Sequence, residues 1–215
     1  MSSIVTDGRL TRASSMHDQC QGGGGWQLGH LVDGTQAEYI RIPFADGGLH
    51  HVPAGVDERS LLVASDILPT GLEVGTLRGN VRPGCTIAIV GAGPVGLAAG
   101  LTSSLYSPKS IVYFDLDESR LEVAKKISGK GAHTINTSQI DGVRELSKEH
   151  FGDIDGFDVV MECVGVPETF QMCQDLVGIG GTIANIGVHG TKVQLDIERL
   201  WPRSTSKSYC GPKAE

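Results

Sequence analysis

No apolar run in this 215-residue chain approaches the ~18 residues that a membrane-crossing helix needs. The first residues hold Arg9, Arg12 and several serines but no apolar core of a secretory leader. Asp7 interrupts them, which argues against a mitochondrial presequence. Cysteine is sparse and unpaired in pattern. Cys20, Cys85, Cys163, Cys173 and Cys210 are odd in number and form no CxxC motif, so no disulfide framework is expected and the compartment reads as reducing, the cytoplasm. Cys163 lies in the apolar run DVVMECVG, where a buried free thiol is the simple reading. Positive charge is also short. Eighteen Lys and Arg against 25 Asp and Glu leave a net charge of −7, which argues against nucleic acid and against an acidic membrane surface as partners.

Glycine, in contrast, is abundant, with 30 residues, and its placement organises the chain. The apolar β-branched run from Thr86 to Val90 reads as a buried strand. Gly91-Ala-Gly93-Pro94-Val95-Gly96 follows at once, and then Leu97, Leu101 and Leu105 recur at helical spacing. A second buried run, Ile111 to Phe114, ends on Asp115, 19 positions after Gly96. Gly91 permits the tight turn, Gly93 lets a pyrophosphate approach the backbone, and Gly96 lets the helix pack on the strand. The phosphates then meet the helix N-terminus, where free N–H groups and the dipole favour an anion. Asp115 is placed to accept hydrogen bonds from ribose hydroxyls and to repel a 2′-phosphate, which favours NAD over NADP. A GxGxxG alone is a weak signal. The flanking strands and the acid are the context that supports it, and a plain glycine-rich turn, with Asp115 as a strand-end turn residue, is the rival.

Taken in order, residues 1–25 have no periodicity, end in four glycines and are expected to be disordered. Trp26 to Leu28, Ala37 to Ile42 and His50 to Val52 read as short antiparallel strands separated by Gly- and Pro-rich turns. Residues 58–77 read as helical, with a kink or break at Pro69 and Gly71. Beyond Asp115, helices are expected at Glu118 to Ser128, Asp141 to His150 and Pro167 to Val177. Strands are expected at His133 to Ile135, Phe157 to Val164 and Gly181 to Ile186. Such alternation implies a doubly wound parallel sheet, an α/β Rossmann fold. After Trp201 the polar tail is expected to be disordered. The expected organisation is therefore a non-family segment at 1–25, a β-rich remnant with a linking helix at 26–77, a nucleotide-binding domain at 78–201 and a tail at 202–215.

These features together resemble the zinc-dependent medium-chain alcohol dehydrogenases. The motifs that carry the resemblance are DGTQAEYIRIPFAD at 33–46, SDILPTGLEVG at 65–75, VRPGCTIAIVGAGPVGLAA at 81–99 and FDLDESRLEVAKK at 114–126, then DVVMECVG and GGTIANIGVHG. The match is continuous from about Gly25 to Trp201. It implies a partial GroES-like catalytic domain before the Rossmann domain, with hydride transfer between a small alcohol, or its aldehyde or ketone, and NAD. It also implies a homo-oligomer. Asp66 aligns with a ligand of the catalytic zinc, which would polarise the alcohol oxygen. Thr70 and Val95 align with residues that pack on the nicotinamide, Asp115 and Arg120 with the ribose acid and the basic residue beyond it. Val164 and Val188 align with strand-end residues bordering the cofactor, and Cys20 with a structural-zinc cysteine. On the residues alone, the N-cap of a helix starting near Ile67 is the favoured reading of Asp66, since a lone aspartate is no metal motif, and Arg120 reads as a solvated helix residue. His50 and His51 receive no ligand role.

The departures from the family pattern are as specific. The Gly-His-Glu motif that carries another catalytic ligand is absent, as are the other three structural-zinc cysteines and the final Rossmann strand. One ligand does not hold a catalytic zinc. The expectation is a truncated, poorly stable chain that binds NAD without turnover and without zinc. The alternative is a non-catalytic NAD-binding module that associates with a full-length subunit.

Overall fold

The computed structural model describes residues 29–42, 45, 49, 51–129, 131–138 and 155–201. The chain divides into two units, Met1–Val56 and Asp57–Glu215.

Among the described residues of the first unit, residue 32 is the only one in a bridge; the strand expected at 37–42 does not form, residues 51 and 52 are not in a strand, and residue 50 lies outside the described residues. A strand needs a hydrogen-bonded neighbour, and the described residues here supply bends and turns instead, such as the one closed by Gly29 N–H to the Val32 carbonyl at 2.7 Å. The strand expected at Trp26 to Leu28 lies outside the described residues, as do the segments 1–25 and 202–215 and the helix expected at 141–150.

In the second unit, the β-branched runs pair as read. β1 (Thr86–Val90), β2 (Ser110–Asp115), β3 (Ala132–Asn136), β4 (Phe157–Glu162) and β5 (Val177–Asn185) form one sheet in the order β3-β2-β1-β4-β5. All four pairings are parallel, with Ile89 opposite Tyr113 and Glu162 opposite Asn185. Alternation along the strands feeds two cores. On one face, Ile87, Ile89, Ile111, Tyr113 and Met161 meet Ala99 of α3 (Pro94–Ser104) and Leu121 and Ala124 of α4 (Glu118–Ser128). On the other, Ala88, Val90, Val112, Phe114 and Val160 meet Cys173 and Leu176 of α5 (Pro167–Leu176). The fold is the α/β, Rossmann-like one expected. β1 is central: the chain moves outward through β2 and β3, then returns to β1's other side for β4 and β5. That reversal opens a crevice at the strands' carboxyl ends.

Two local differences have clear causes. The break in the 58–77 segment falls at Ser65–Asp66, ahead of Pro69. A short α1 (Glu58–Leu61), capped by Asp57, and a 3₁₀ turn at Leu62–Ala64 lead to it, and α2 (Ile67–Thr70) restarts beyond it. Pro69 then sits in a first turn, where its missing N–H would have been unpaired anyway. Gly71 does not end the helix but opens a π-helical turn, Gly71–Leu77. A Cβ on Gly71 would lie 2.6 Å from Ala99 N, so the glycine is what lets this turn lie against α3. Thr76, buried beneath it, bonds the hydroxyls of Thr102 at 2.8 Å and Ser103 at 3.0 Å. β5, for its part, begins at Val177 rather than Gly181. Gly156 at φ +123° lies against Gly178, where no side chain would fit, and this lets the strand start directly after α5.

A close approach also fixes α3 on the sheet. A Cβ on Gly100 would overlap the Tyr113 hydroxyl and lie 2.6 Å from its Cζ, while that hydroxyl bonds Ser128 Oγ at 2.7 Å. Gly100→Ala is expected to destabilise by ~1–3 kcal/mol, the usual cost of overpacking, less up to ~1 kcal/mol of helix propensity returned by alanine. Tyr113→Phe in the Gly100→Ala background is expected to recover part of the loss. Thermal melts of the double-mutant cycle measure this, and purely additive effects would contradict the contact.

Candidate nucleotide site

The glycine loop leaves β1 with its backbone already committed. Gly91 N–H donates to the Phe114 carbonyl at 2.8 Å, and Cys163 N–H donates to the Val90 carbonyl at 2.9 Å, so the ends of β2 and β4 clamp that of β1. Gly91 has φ +101°, a region that favours glycine, and a Cβ there would lie 2.6 Å from Val164 Cγ2. Gly96 is closed in another way: a Cβ would overlap the Gly91 carbonyl oxygen and lie 3.3 Å from Ile89 Cγ2. Gly93 is the opposite case. A Cβ there would meet nothing within 4 Å, so the space before it is open. Gly93 occupies the N-cap of α3 without a side-chain cap, and Pro94 fills the first helical position. The N-terminal N–H groups of α3 therefore face a cradle that a group other than protein would fill.

Asp115 meets this loop directly. Its Oδ2 accepts from Ala92 N–H at 2.6 Å and its Oδ1 from Asp117 N–H at 2.9 Å. The side chain is only 8% exposed, and the Arg120 guanidinium stands 3.9 Å from Oδ2. A carboxylate offers about four lone-pair directions, so two protein donors leave acceptor capacity at this strand end. Asp117 caps α4, and its hydrogen bonds from the Ser119 hydroxyl and N–H hold its carboxyl below the usual range.

Val164 and Val188 project into solvent, 47% and 76% exposed, beyond β4 and β5. Gly165, at φ +92°, lies so close to Val188 that a Cβ would overlap the Val188 carbonyl. The structure thus brings Gly91, Val164 and Val188 side by side along three strand ends, with Asp115 joined to the loop through Ala92. Thr70, at the end of α2, and Val95, in the first turn of α3, lie on helices that pack together.

Asp66 is exposed at the start of α2. It takes the N-cap position but caps no backbone N–H. Its Oδ1 accepts from the Thr70 hydroxyl at 2.8 Å instead. Cys20 lies outside the described residues. Among the described residues no group of three or more His, Cys, Asp or Glu converges to hold a metal ion. The described residues around Asp66 do not make up the three-ligand set of a catalytic zinc.

Comparison with known proteins gives this geometry a context. Residues 94–211, more than half of the chain, match the model of the zinc-binding dehydrogenases. The chain belongs to that family. An alcohol dehydrogenase of Cupriavidus necator is 33% identical over 174 residues, which span 80% of this chain and 46% of that protein. A solved zinc-dependent alcohol dehydrogenase 2 from Streptococcus pneumonia superposes with a TM-score of 0.79 at 42% identity, over 90% of this chain and 53% of that one. A structure described as a zinc-binding dehydrogenase of Sinorhizobium meliloti bound to NADP gives a TM-score of 0.75 at 25% identity, over 93% of this chain and 57% of that one. The chain spans about half the length of the curated relatives it matches.

Sequence reasoning missed the residue under the strand ends. Glu162, the last residue of β4, is fully buried. Its Oε1 accepts from Val164 N–H at 3.0 Å, Gly165 N–H at 2.9 Å and the Thr169 hydroxyl at 2.6 Å. Its Oε2 stands 3.4 Å from His189 Nε2. A signal was present: a glutamate inside the otherwise apolar DVVMECVG must be paired if that run is a core strand.

Cys85, Cys163 and Cys173 are free thiols, and burial pushes all three above the usual cysteine range, with the Glu162 charge adding to the effect at Cys163 and Cys173. A raised pKa leaves the thiol, not the reactive thiolate, at pH 8. Native protein treated with iodoacetamide at pH 8 is expected to leave the buried Cys85 and Cys173 unlabelled in a peptide map, with the half-buried Cys163 labelled slowly at most. They become labelled once the protein is unfolded. Rapid native labelling of Cys85 or Cys173 would contradict their buried placement.

Proposed function

We propose that this chain supplies the NAD-binding half of a zinc-type alcohol dehydrogenase, an oxidoreductase transferring hydride between a small alcohol and NAD. The observation that carries the reading is the pairing of an open Gly93 cradle at the α3 N-terminus with an Asp115 carboxylate anchored to the same loop by Ala92 N–H. Pyrophosphate fits the first feature and ribose hydroxyls the second. NAD, when bound, accepts or gives the hydride. The protein's own part is to seat the phosphates on backbone N–H groups, hold the ribose through Asp115 and present the nicotinamide end toward Val164 and Val188. The same reading gives the chain a cytoplasmic home, an aldehyde or ketone as the oxidised partner of the alcohol, and a homo-oligomeric assembly.

NADP in place of NAD is the second reading, favoured by one observation: the exposed Arg120 guanidinium beside Asp115 is suitably charged for a 2′-phosphate.

The glycines separate binding from folding. Gly93→Ala places a methyl in open space, so it is expected to cost at most ~1 kcal/mol of stability, the N-cap preference against alanine. It is expected to weaken NADH binding by about tenfold or more, equivalent to ~1.4 kcal/mol. Gly96→Ala drives a methyl into the Gly91 carbonyl and is expected to lower stability by ~2 kcal/mol or more. Melting and NADH titration of both variants check this. Unchanged NADH affinity in Gly93→Ala would sink the proposed phosphate seat.

A further inference from the structure

Glu162 is a buried carboxyl group at the carboxyl edge of the sheet, and the reading above assigns it no role. Its surroundings are built around it. Oε1 gathers two backbone N–H groups of the turn beyond β4 and the Thr169 hydroxyl in the first turn of α5. The Glu162 main-chain carbonyl accepts from Ile186 N–H at 2.8 Å and Gly187 N–H at 3.0 Å, both beyond β5. A Cβ on Gly187 would overlap Oε2 and lie 2.5 Å from Gly165 N, so the two loops meet directly above this side chain.

Oε2 is the unusual atom. It is buried and, like Nδ1 of His189, has no hydrogen bond among the described residues. A buried oxygen without a hydrogen bond is costly and calls for a reason. His189 is the group facing it, with Nε2 at 3.4 Å, too long for a well-formed bond. Asn185 Nδ2 donates to the Gly187 carbonyl at 3.0 Å, which turns its Oδ1 toward His189 Nε2 at 2.8 Å. Nε2 therefore carries a proton and presents it between Asn185 and Glu162. Phe170 of α5 meets the imidazole edge-on, at 5.8 Å between centroids. His189 follows Val188 directly, so whatever fixes the imidazole fixes Val188.

We propose that Glu162 is a positioning residue for the nicotinamide end of the crevice. It holds the Val164 turn through Oε1 and the Val188 loop through His189, and so sets the gap between these two exposed valines. The proposal rests on the reading of the crevice as a dinucleotide site. It differs from a general stabilising role because it predicts a loss confined to one half of the ligand. Asp115 and the glycine loop seat the other half on β1 and β2.

Glu162→Gln is the informative variant. Its carbonyl oxygen can still serve Val164, Gly165 and Thr169, while its amide turns a donor toward the Nε2 proton of His189. The full 215-residue chain is titrated with NADH and with ADP-ribose, which carries everything except the nicotinamide. The expected result is NADH binding weakened by about tenfold with ADP-ribose binding unchanged. His189→Leu removes the second arm without touching the Val164 turn. It is expected to shift the two affinities in the same unequal way, and it decides the matter should Glu162→Gln fail to fold. Equal losses for both ligands, or no loss for either, would overturn the positioning role. Failure of the parent chain to bind ADP-ribose would instead overturn the dinucleotide reading itself.

Discussion

Close contact on glycine backbone at the carboxyl edge of the sheet is the constraint on which this molecule depends. Four strand-end elements meet there at distances that leave no room for a Cβ. Gly91 lies against Val164, Gly96 against the Gly91 carbonyl, Gly165 against Val188 and Gly187 against Glu162. The Gly96 contact sets α3 on the loop after β1, and the other three tie β1 to β4 and β4 to β5. The hydrophobic layers on either face explain why the sheet forms. These glycines explain why its edge is tight enough to be a site. Gly93 is the exception in the series: the other four are glycines because protein presses on them, while Gly93 faces open space.

Electrostatics at the same edge follow from geometry. Asp115 is tied to the loop it would serve, because Ala92 N–H reaches its Oδ2. Arg120 stays near without forming a close bond, at 3.9 Å and well exposed, where solvent screens it. Glu162 is the contrary case. It is sealed from water and bonded through one oxygen, while the other faces a histidine. One carboxylate is thus available to a ligand and the other serves the protein.

Much of this was legible in residues. The β-branched runs gave five strands, because buried parallel strands need apolar side chains on both faces. Gly91, Gly93 and Gly96 with Asp115 were legible as a set, since each has a distinct physical task at a fixed spacing. Less was legible where the outcome depended on partners. The strand read at 37–42 does not form among the described residues, because alternation alone cannot supply a neighbouring strand. The helix break went to Asp66 rather than Pro69, because the close fit of Gly71 on α3 is a tertiary fact. Glu162 was passed over because an acid in an apolar run can be judged only once its partners are known, and three of these, Val164, Gly165 and Thr169, are near in sequence while His189 is not. Asp66 was read as a ligand by resemblance. In the structure it stands exposed, with the Thr70 hydroxyl on its carboxylate.

On the proposed reading, an edge closed by glycines, with one left open beside an anchored aspartate, binds NAD. Parallel fluorescence titrations of the unmodified chain with NADH and NADPH test it most directly. The account predicts saturable NADH binding and markedly weaker NADPH binding, with the Asp115 carboxylate rejecting the 2′-phosphate. Equal or tighter binding of NADPH would contradict the role given to Asp115 and move it to Arg120. Absence of binding by either nucleotide would contradict the claim altogether.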